Sequence, residues 1–218
     1  MTVDAKVHVD RTLPLRERKK LRTRQALIET ALALFIEKGF DAVTLDELVD
    51  EVEVSKRTFF RYFTSKEEVA TAAETELWDA YVETLLSADI TGNVLVVLRA
   101  ALVSALEGMD EDWERRFLAT RSLIGRTPRL RDHSNLSSLK TQERLVDALE
   151  KKLNVDSRED VRIRLLGELA LGAWRCGAKN WVRSVRFTSR GGRGNRAALT
   201  RCVEEAFDAI PGSITLST

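Results

Sequence analysis

The chain has 218 residues, 44% of them apolar and 32% charged, with a formal net charge of +1. That length suits a small module joined to a larger one, and the apolar share is enough for a buried core. Three prolines and eleven glycines argue for long helices over a turn-rich β protein, and the small net charge means that any basic surface must come from segregated charge.

The opening "MTVDAKVHVD" is polar, lacks an apolar centre and does not read as a signal peptide. Residues 1–14 read as a flexible arm. From Leu15 a helical pattern begins, with a basic start, "RERKKLRTR" at 16–24. Leu27, Ile28, Ala31, Leu34 and Phe35 then recur at spacings of three and four, and Gly39 is placed to stop the helix. Thr44 and Glu47 have the spacing of a capping box, and Leu45, Leu48, Val49 and Val52 line a short second helix. Ser55 is an N-cap for a third helix, whose expected apolar face is Phe59, Phe60 and Phe63. Ser65 and Glu68 make a second capping box, opening a fourth helix expected to run to about Ala88.

More helices follow. One is expected over Asn93–Glu107 and another from Asp110 to about Ile124. "RTPRL" restarts with Thr127 as cap and Pro128 in the first turn, in a helix that runs to Leu153 unless "DHSN" at 132–135 breaks it. Ser157 and Asp160 start a long helix ending near Ser184. "TSRGGRGNR" at 188–196 reads as a flexible loop, and Leu199, Cys202, Val203, Ala206, Phe207 and Ile210 form the stripe of a last helix. No strand and no solenoid repeat is expected. The fold class is therefore all-α.

The most apolar stretch, "LLGELALGAW" at 165–174, holds Glu168 and is flanked by Arg162, Arg164 and Arg175. It is too short and too charged to span a membrane, so a cytoplasmic protein is expected. Cys176 and Cys202 make no disulfide framework and read as buried free thiols in a reducing compartment. His8 and His133 are far in sequence from both cysteines, and no metal site or cofactor is expected. No nucleophile elbow or phosphate-cradling glycine loop is present, and "GGRGN" lacks the strand context of a dinucleotide fingerprint, so an enzyme is not expected.

The stretch "VSKRTFFRYFTSKEE" at 54–68 mixes aromatic rings with cations. A core helix would want rings alone and a solvated helix would want cations alone. Helices at 44–52 and 55–63 joined by a tight turn make a helix-turn-helix. Lys56, Arg57 and Thr58 then stand at the N-terminus of the recognition helix, where base edges are read, and Tyr62 and Lys66 are placed for phosphates.

From Thr23 to Val69 the sequence resembles the DNA-binding domain of the TetR family of transcriptional regulators, through "TRQALIETALALF", "KGF", Thr44, "VS", "RTFFRYF" and "SKEE". The resemblance implies three helices for DNA and a larger all-helical domain behind. The plan is an arm at 1–14, a helix-turn-helix domain at 15–64 and a ligand-binding and dimerisation domain at 65–212. It implies phosphate contacts from Thr44, Tyr62 and Lys66, with Arg22 and Thr23 at the end of the basic run, and base contacts from Lys56, Arg57 and Thr58. Three features depart from the family pattern. Glu53 stands at the turn's glycine position, Phe60 replaces a tyrosine, and the second helix is acidic through Asp46, Glu47, Asp50 and Glu51.

The resemblance further implies a homodimer through helices 157–184 and 196–210, on a partly palindromic double-stranded operator. Its two recognition helices would enter grooves about 34–36 Å apart. The small residues Gly167, Ala170, Gly172, Ala173, Gly177 and Ala178 allow close helix approach there, either within one chain or between two. "RFLATRSLIGRTPRLR" and "RLLGELALGAWRCGAKNWV" are similar to TetR regulators with an acyl-CoA-like ligand-binding domain. Trp78, Trp113, Phe117 and Trp174, with Trp181, are either walls of an effector cavity or plain core, and Arg121 is either an anion-binding group or solvated. The function expected is a ligand-responsive repressor. The alternatives are an activator on the same scaffold, or an interaction protein without specific DNA readout.

Overall fold

The computed structural model describes residues 14–188 and 196–217, so the expected arm and most of the 188–196 loop lie outside the described residues. All the regular structure described is helical. The elements are α1 (Leu15–Lys38), α2 (Leu45–Glu51), α3 (Lys56–Phe60), α4 (Lys66–Ala70), α5 (Ala72–Ser87), α6 (Val94–Glu107), α7 (Trp113–Arg126), α8 (Pro128–Leu153), α9 (Val161–Thr188) and α10 (Arg196–Ile214). No helix among the described residues is long and apolar enough to cross a membrane. The chain forms two compact units. The first takes the residues up to Ala72 together with Ala119–His133, and the second takes Ala73–Leu118 and the residues from Ser134 onward.

The first unit closes around one apolar cluster. Leu27, Ile28, Ala31 and Phe35 of α1 meet Leu48 and Val49 of α2, Phe59 of α3 and Val69 of α4, with Leu123, Ile124 and Leu130 completing it. The helix starts are set by side chains. The Thr44 hydroxyl accepts from the Glu47 amide at 3.1 Å, Ser55 from Thr58 at 3.1 Å and Ser65 from Glu68 at 3.2 Å. Each replaces a partner that the first helical turn cannot supply.

Between α2 and α3 the chain turns through Glu53, whose φ of 55° lies in the left-handed region. A glycine would sit there without strain, and glutamate does so at a cost of roughly 1–2 kcal/mol. The turn keeps its geometry through the Val54 amide, which donates to the Val49 carbonyl at 2.9 Å.

Two helix readings need correction, and a third, the helix from Pro128 to Leu153, stands as expected. The third helix ends at Phe60 because the chain tightens there, with the Tyr62 and Phe63 amides both donating to the Phe59 carbonyl at 2.8 and 3.0 Å. The fourth is two helices, parted at Thr71, whose φ of −105° and ψ of 13° leave the helical region. The long helix from Pro128 is unbroken through 132–135, because the Ser134 hydroxyl is drawn off to the Glu74 carboxylate at 2.6 Å instead of competing with the backbone.

The second unit packs α5, α6, α9 and α10 with parts of α7 and α8 around Leu77, Leu85, Leu102, Leu149 and Leu171, with Val203 and Phe207 from α10. Contact between α9 and α10 is close. A Cβ at Gly177 would lie 2.7 Å from the Cys202 carbonyl oxygen and 2.7 Å from the Val203 Cα. Gly167 packs less tightly, where a Cβ would lie 3.0 Å from Val146 Cγ2 and 3.2 Å from Gln142 Cγ of α8. Two of the small residues of α9 therefore serve packing within the chain. Neither thiol is buried: Cys176 is exposed and Cys202 partly so. The apolar neighbours of Cys176 face inward, while Arg175 and Lys179 share its outer side.

An arginine is buried in this unit. The Arg116 guanidinium is 1% exposed and donates to Asp110 at 2.7 and 3.0 Å and to Glu76 at 3.0 Å. Arg196, at the start of α10, donates to the carbonyls of Glu107, Met109 and Asp110, which close the end of α6.

Candidate nucleic-acid interface

Helix α3 has two sides. Phe59 is 0% exposed and Phe63 just beyond it 3% exposed, and the two rings lie 5.8 Å apart in the core of the first unit. Lys56, Arg57, Phe60 and Arg61 are exposed. Their spacing of one, three and four residues places them on one face. That face carries three cations around a phenyl ring that is 54% exposed. The expectation that Phe60 packs inward is corrected: Phe59 and Phe63 share a side, and Phe60 is turned away from it.

The cations of this face are held differently. Lys56 Nζ lies 2.5 Å from Asp46 Oδ1, both side chains being exposed. Arg61 lies over the Tyr62 ring at 5.1 Å and donates to its hydroxyl at 3.3 Å. Arg57 projects from the first turn of α3. Thr58 is half-buried, its hydroxyl 3.0 Å from that of Ser55. Arg61 was not among the residues singled out from the sequence, although the spacing 56, 57, 60, 61 points to it.

The expected phosphate contacts separate into two kinds. Arg22 is exposed on α1, and the Thr23 hydroxyl donates back to the Lys19 carbonyl at 3.0 Å. Thr44 spends its hydroxyl on capping α2. Lys66 is half-buried. Its ammonium donates to the Phe40 carbonyl at 3.1 Å and to that of Val43, and lies 4.7 Å from the centre of the Phe40 ring. Burial lowers its pKa from the usual lysine range. Lys66 thus ties the start of α4 to the loop after α1.

Two of the acids of the second helix are paired locally. Asp46 meets Lys56, and Glu47 pairs with Lys38 at the end of α1. The hydrogen bond from Lys38 draws the Glu47 carboxyl below its ordinary pKa.

In the second unit the expected effector residues are packed rings. Trp113 stacks on Phe117 at 4.8 Å, Phe117 meets Trp174 at 5.7 Å, and Trp174 meets Trp78 at 5.4 Å. All four rings are at most 5% exposed. Arg121 belongs to the first unit and is half-buried. Two open clefts in the second unit, of about 540 Å³ beside Glu150 and Ser157 and about 400 Å³ between α5 and α6, are lined by none of these residues. Among the described residues no three His, Cys, Asp or Glu side chains are grouped to hold a metal ion.

Comparison with known proteins bears on the whole chain. Residues 27–73 match the model of the bacterial regulatory proteins of the tetR family, and residues 93–210 match the MftR C-terminal domain. The transcriptional regulator TcmR of Streptomyces glaucescens is 31% identical over 175 residues, covering 77% of this chain and 76% of that protein. IcaR of Staphylococcus epidermidis, a negative regulator of a biofilm operon, is 29% identical over 63 residues, 29% of this chain and 34% of that one. The fold is that of SmeT, solved as a triclosan complex, with a TM-score of 0.51 at 19% identity over 88% of this chain and 91% of that one. A helix-turn-helix with a cationic outer face, matched at both ends of the chain, leads to one conclusion: this protein belongs to the TetR family of bacterial helix-turn-helix transcriptional regulators, not to an enzyme family.

Proposed function

We propose that the protein is a ligand-responsive repressor that binds a partly palindromic operator as a homodimer. The observation that carries the DNA-reading part is the outer face of α3, where Lys56, Arg57, Phe60 and Arg61 stand exposed while Phe59 and Phe63 anchor the helix. Long donors at the first turn of a groove-entering helix reach base edges, and the remaining cations meet phosphates. IcaR, a negative regulator, supports repression as the sign of control.

The dimer would form through the outward faces of α9 and α10. Gly177 is used within the chain, whereas Gly172 has only the movable end of the Arg175 side chain near it and can admit a partner helix. An effector bound in the second unit would act by preferring one of two conformations, and its leverage equals that preference. The acyl-CoA class implied by the C-terminal resemblance is the first to be tried in a thermal-shift assay. No stabilisation by any chain length removes it.

Selection from random duplexes tests the operator claim. Enrichment of two related half-sites with centres about 10 base pairs apart, or a multiple of that, is expected. Enrichment of a single site with no partner, or no enrichment, overturns dimeric sequence-specific binding.

A further inference from the structure

Phe60 is the large apolar side chain on the outer face of α3, and 54% of it is exposed. Its ring is held from below. Phe59, which is 0% exposed, meets it edge-on, with ring centres 5.5 Å apart and planes at 87°. The rings of Tyr62 and Phe63 are covered differently, each by an arginine, Arg61 at 5.1 Å and Arg24 at 5.4 Å. Phe60 thus stands clear of the core on a fixed base, with Lys56, Arg57 and Arg61 exposed around it.

The cations decide what this ring can meet. A second copy of the same face is repelled, whereas a polyanionic duplex is drawn to it. On a duplex, a phenyl ring has no hydrogen-bonding group. Neither a phosphate oxygen nor the donor and acceptor edge of a base gains by meeting it. The apolar feature that the major groove offers is the C5-methyl group of thymine.

Spacing sets where that methyl group lies. Phe60 follows Arg57 by three residues and Lys56 by four. Side chains so spaced on a helix have Cβ atoms about 5–6 Å apart, and base pairs rise about 3.4 Å each. Ring and donors therefore cover neighbouring base pairs.

Resting on the reading of α3 as the helix that enters the major groove, we propose that Phe60 is a specificity-determining residue. It selects thymine by packing its ring against the C5-methyl group, within about two base pairs of the base read by Arg57. The donors supply hydrogen bonds to base edges, and the ring supplies an apolar contact that cytosine and uracil cannot return.

The test uses the full chain and the site recovered by selection from random duplexes. Each thymine is replaced in turn by uracil, at the matching position of both half-sites, and binding is followed by fluorescence anisotropy at one fixed salt. The replacement removes the methyl group and keeps the base's hydrogen-bonding edge. At one thymine per half-site it is expected to weaken the parent roughly tenfold, since a buried methyl group contributes about fourfold in each half-site. Phe60→Ala is expected to bind the thymine duplex about as weakly as the parent binds the uracil one, and to be indifferent to uracil at that position. Its weak binding to a scrambled duplex is expected to stay as in the parent.

A site whose thymines can all be replaced without effect overturns the role of Phe60 and leaves sequence reading by α3 standing. That series is read on the parent protein, so it decides the matter even where Phe60→Ala fails to fold. A methyl dependence that Phe60→Ala keeps in full also overturns the proposal, because another group then senses the methyl. So does an equal loss of Phe60→Ala binding on the selected and scrambled duplexes, which assigns the ring to the fold or the backbone. The absence of any selected site overturns both this proposal and the reading on which it rests.

Discussion

Lys56 Nζ and Asp46 Oδ1 lie 2.5 Å apart, so a cation at the head of α3 is paired with an acid of the helix before it. The pair is exposed and contributes little to stability. Its consequence lies in binding, since DNA must displace Asp46 to engage Lys56. Asp46→Asn removes the competitor. It is expected to strengthen binding to all duplexes, by up to about fivefold at low salt. Fluorescence anisotropy on two unrelated duplexes measures it. Unchanged or weaker binding to both means that Lys56 does not face DNA.

Glu53 holds a left-handed backbone that suits glycine. Glu53→Gly is expected to raise the stability of the first unit by roughly 1 kcal/mol, while Glu53→Val lowers it. Urea unfolding followed by circular dichroism measures both. A loss of stability with glycine would show that the glutamate side chain makes a contact worth more than the strain.

Lys66 serves two carbonyls from within the fold. Lys66→Ala is expected to cost about 1–3 kcal/mol, because the Phe40 and Val43 carbonyls lose a charged donor. Arg57→Ala is expected to leave stability within about 0.5 kcal/mol. Thermal melts of the two variants distinguish a residue that builds the site from one that only faces DNA. Equal midpoints contradict the assignment of Lys66.

The helical pattern of α1 was legible because its core contacts repeat within a single helix, and Ser55 and Ser65 were legible as caps because a cap acts on the residues just after it. What was not legible depends on contacts distant in sequence. The break at Thr71 and the outward turn of Phe60 are set by tertiary packing, and local pattern cannot report them. That Lys66 also serves the Phe40 and Val43 carbonyls was hidden, because these lie 26 and 23 residues earlier in the chain. The exposure of Cys176 was missed for a similar reason, since its apolar neighbours belong to the other side of α9. The ring cluster was visible as composition. That the Trp78 and Trp181 N–H groups and the Tyr81 hydroxyl have no partner among the described residues needed the coordinates.

Gly177 lies against the backbone of Cys202 and Val203, whereas Gly172 has only the far end of Arg175 near it, at 4.0 Å. Gly177→Ala is expected to destabilise the second unit by about 1–3 kcal/mol, since backbone atoms cannot give way as a side chain would. Gly172→Leu is expected to leave the fold intact and to shift the protein toward monomer in sedimentation. A dimer unaffected by Gly172→Leu places the interface elsewhere.

Asp110 gives a pH dependence. Burial raises its carboxyl, but the hydrogen bond and charge of Arg116, together with the Asp112 and Trp113 amides, outweigh this and hold it below the usual value of 3.8. A carboxyl whose folded pKa is below its unfolded one stabilises the fold above the unfolded value, and that contribution is lost as pH falls through the folded one. Asp110→Asn is therefore expected to be less stable than the parent at pH 7. The gap should narrow as the pH falls below about 3.8. A gap that is constant with pH would mean that the carboxylate charge does not contribute.

The central claim is that the outer face of α3 reads DNA sequence. The most direct test is fluorescence anisotropy of the parent and Arg57→Ala proteins on the duplex upstream of the protein's own gene, against a scrambled duplex at one fixed salt. The parent is expected to prefer the upstream duplex by about a hundredfold or more, and Arg57→Ala to lose most of that preference while keeping its weak binding to the scrambled one. A preference that survives Arg57→Ala, together with Lys56→Ala, would contradict the claim.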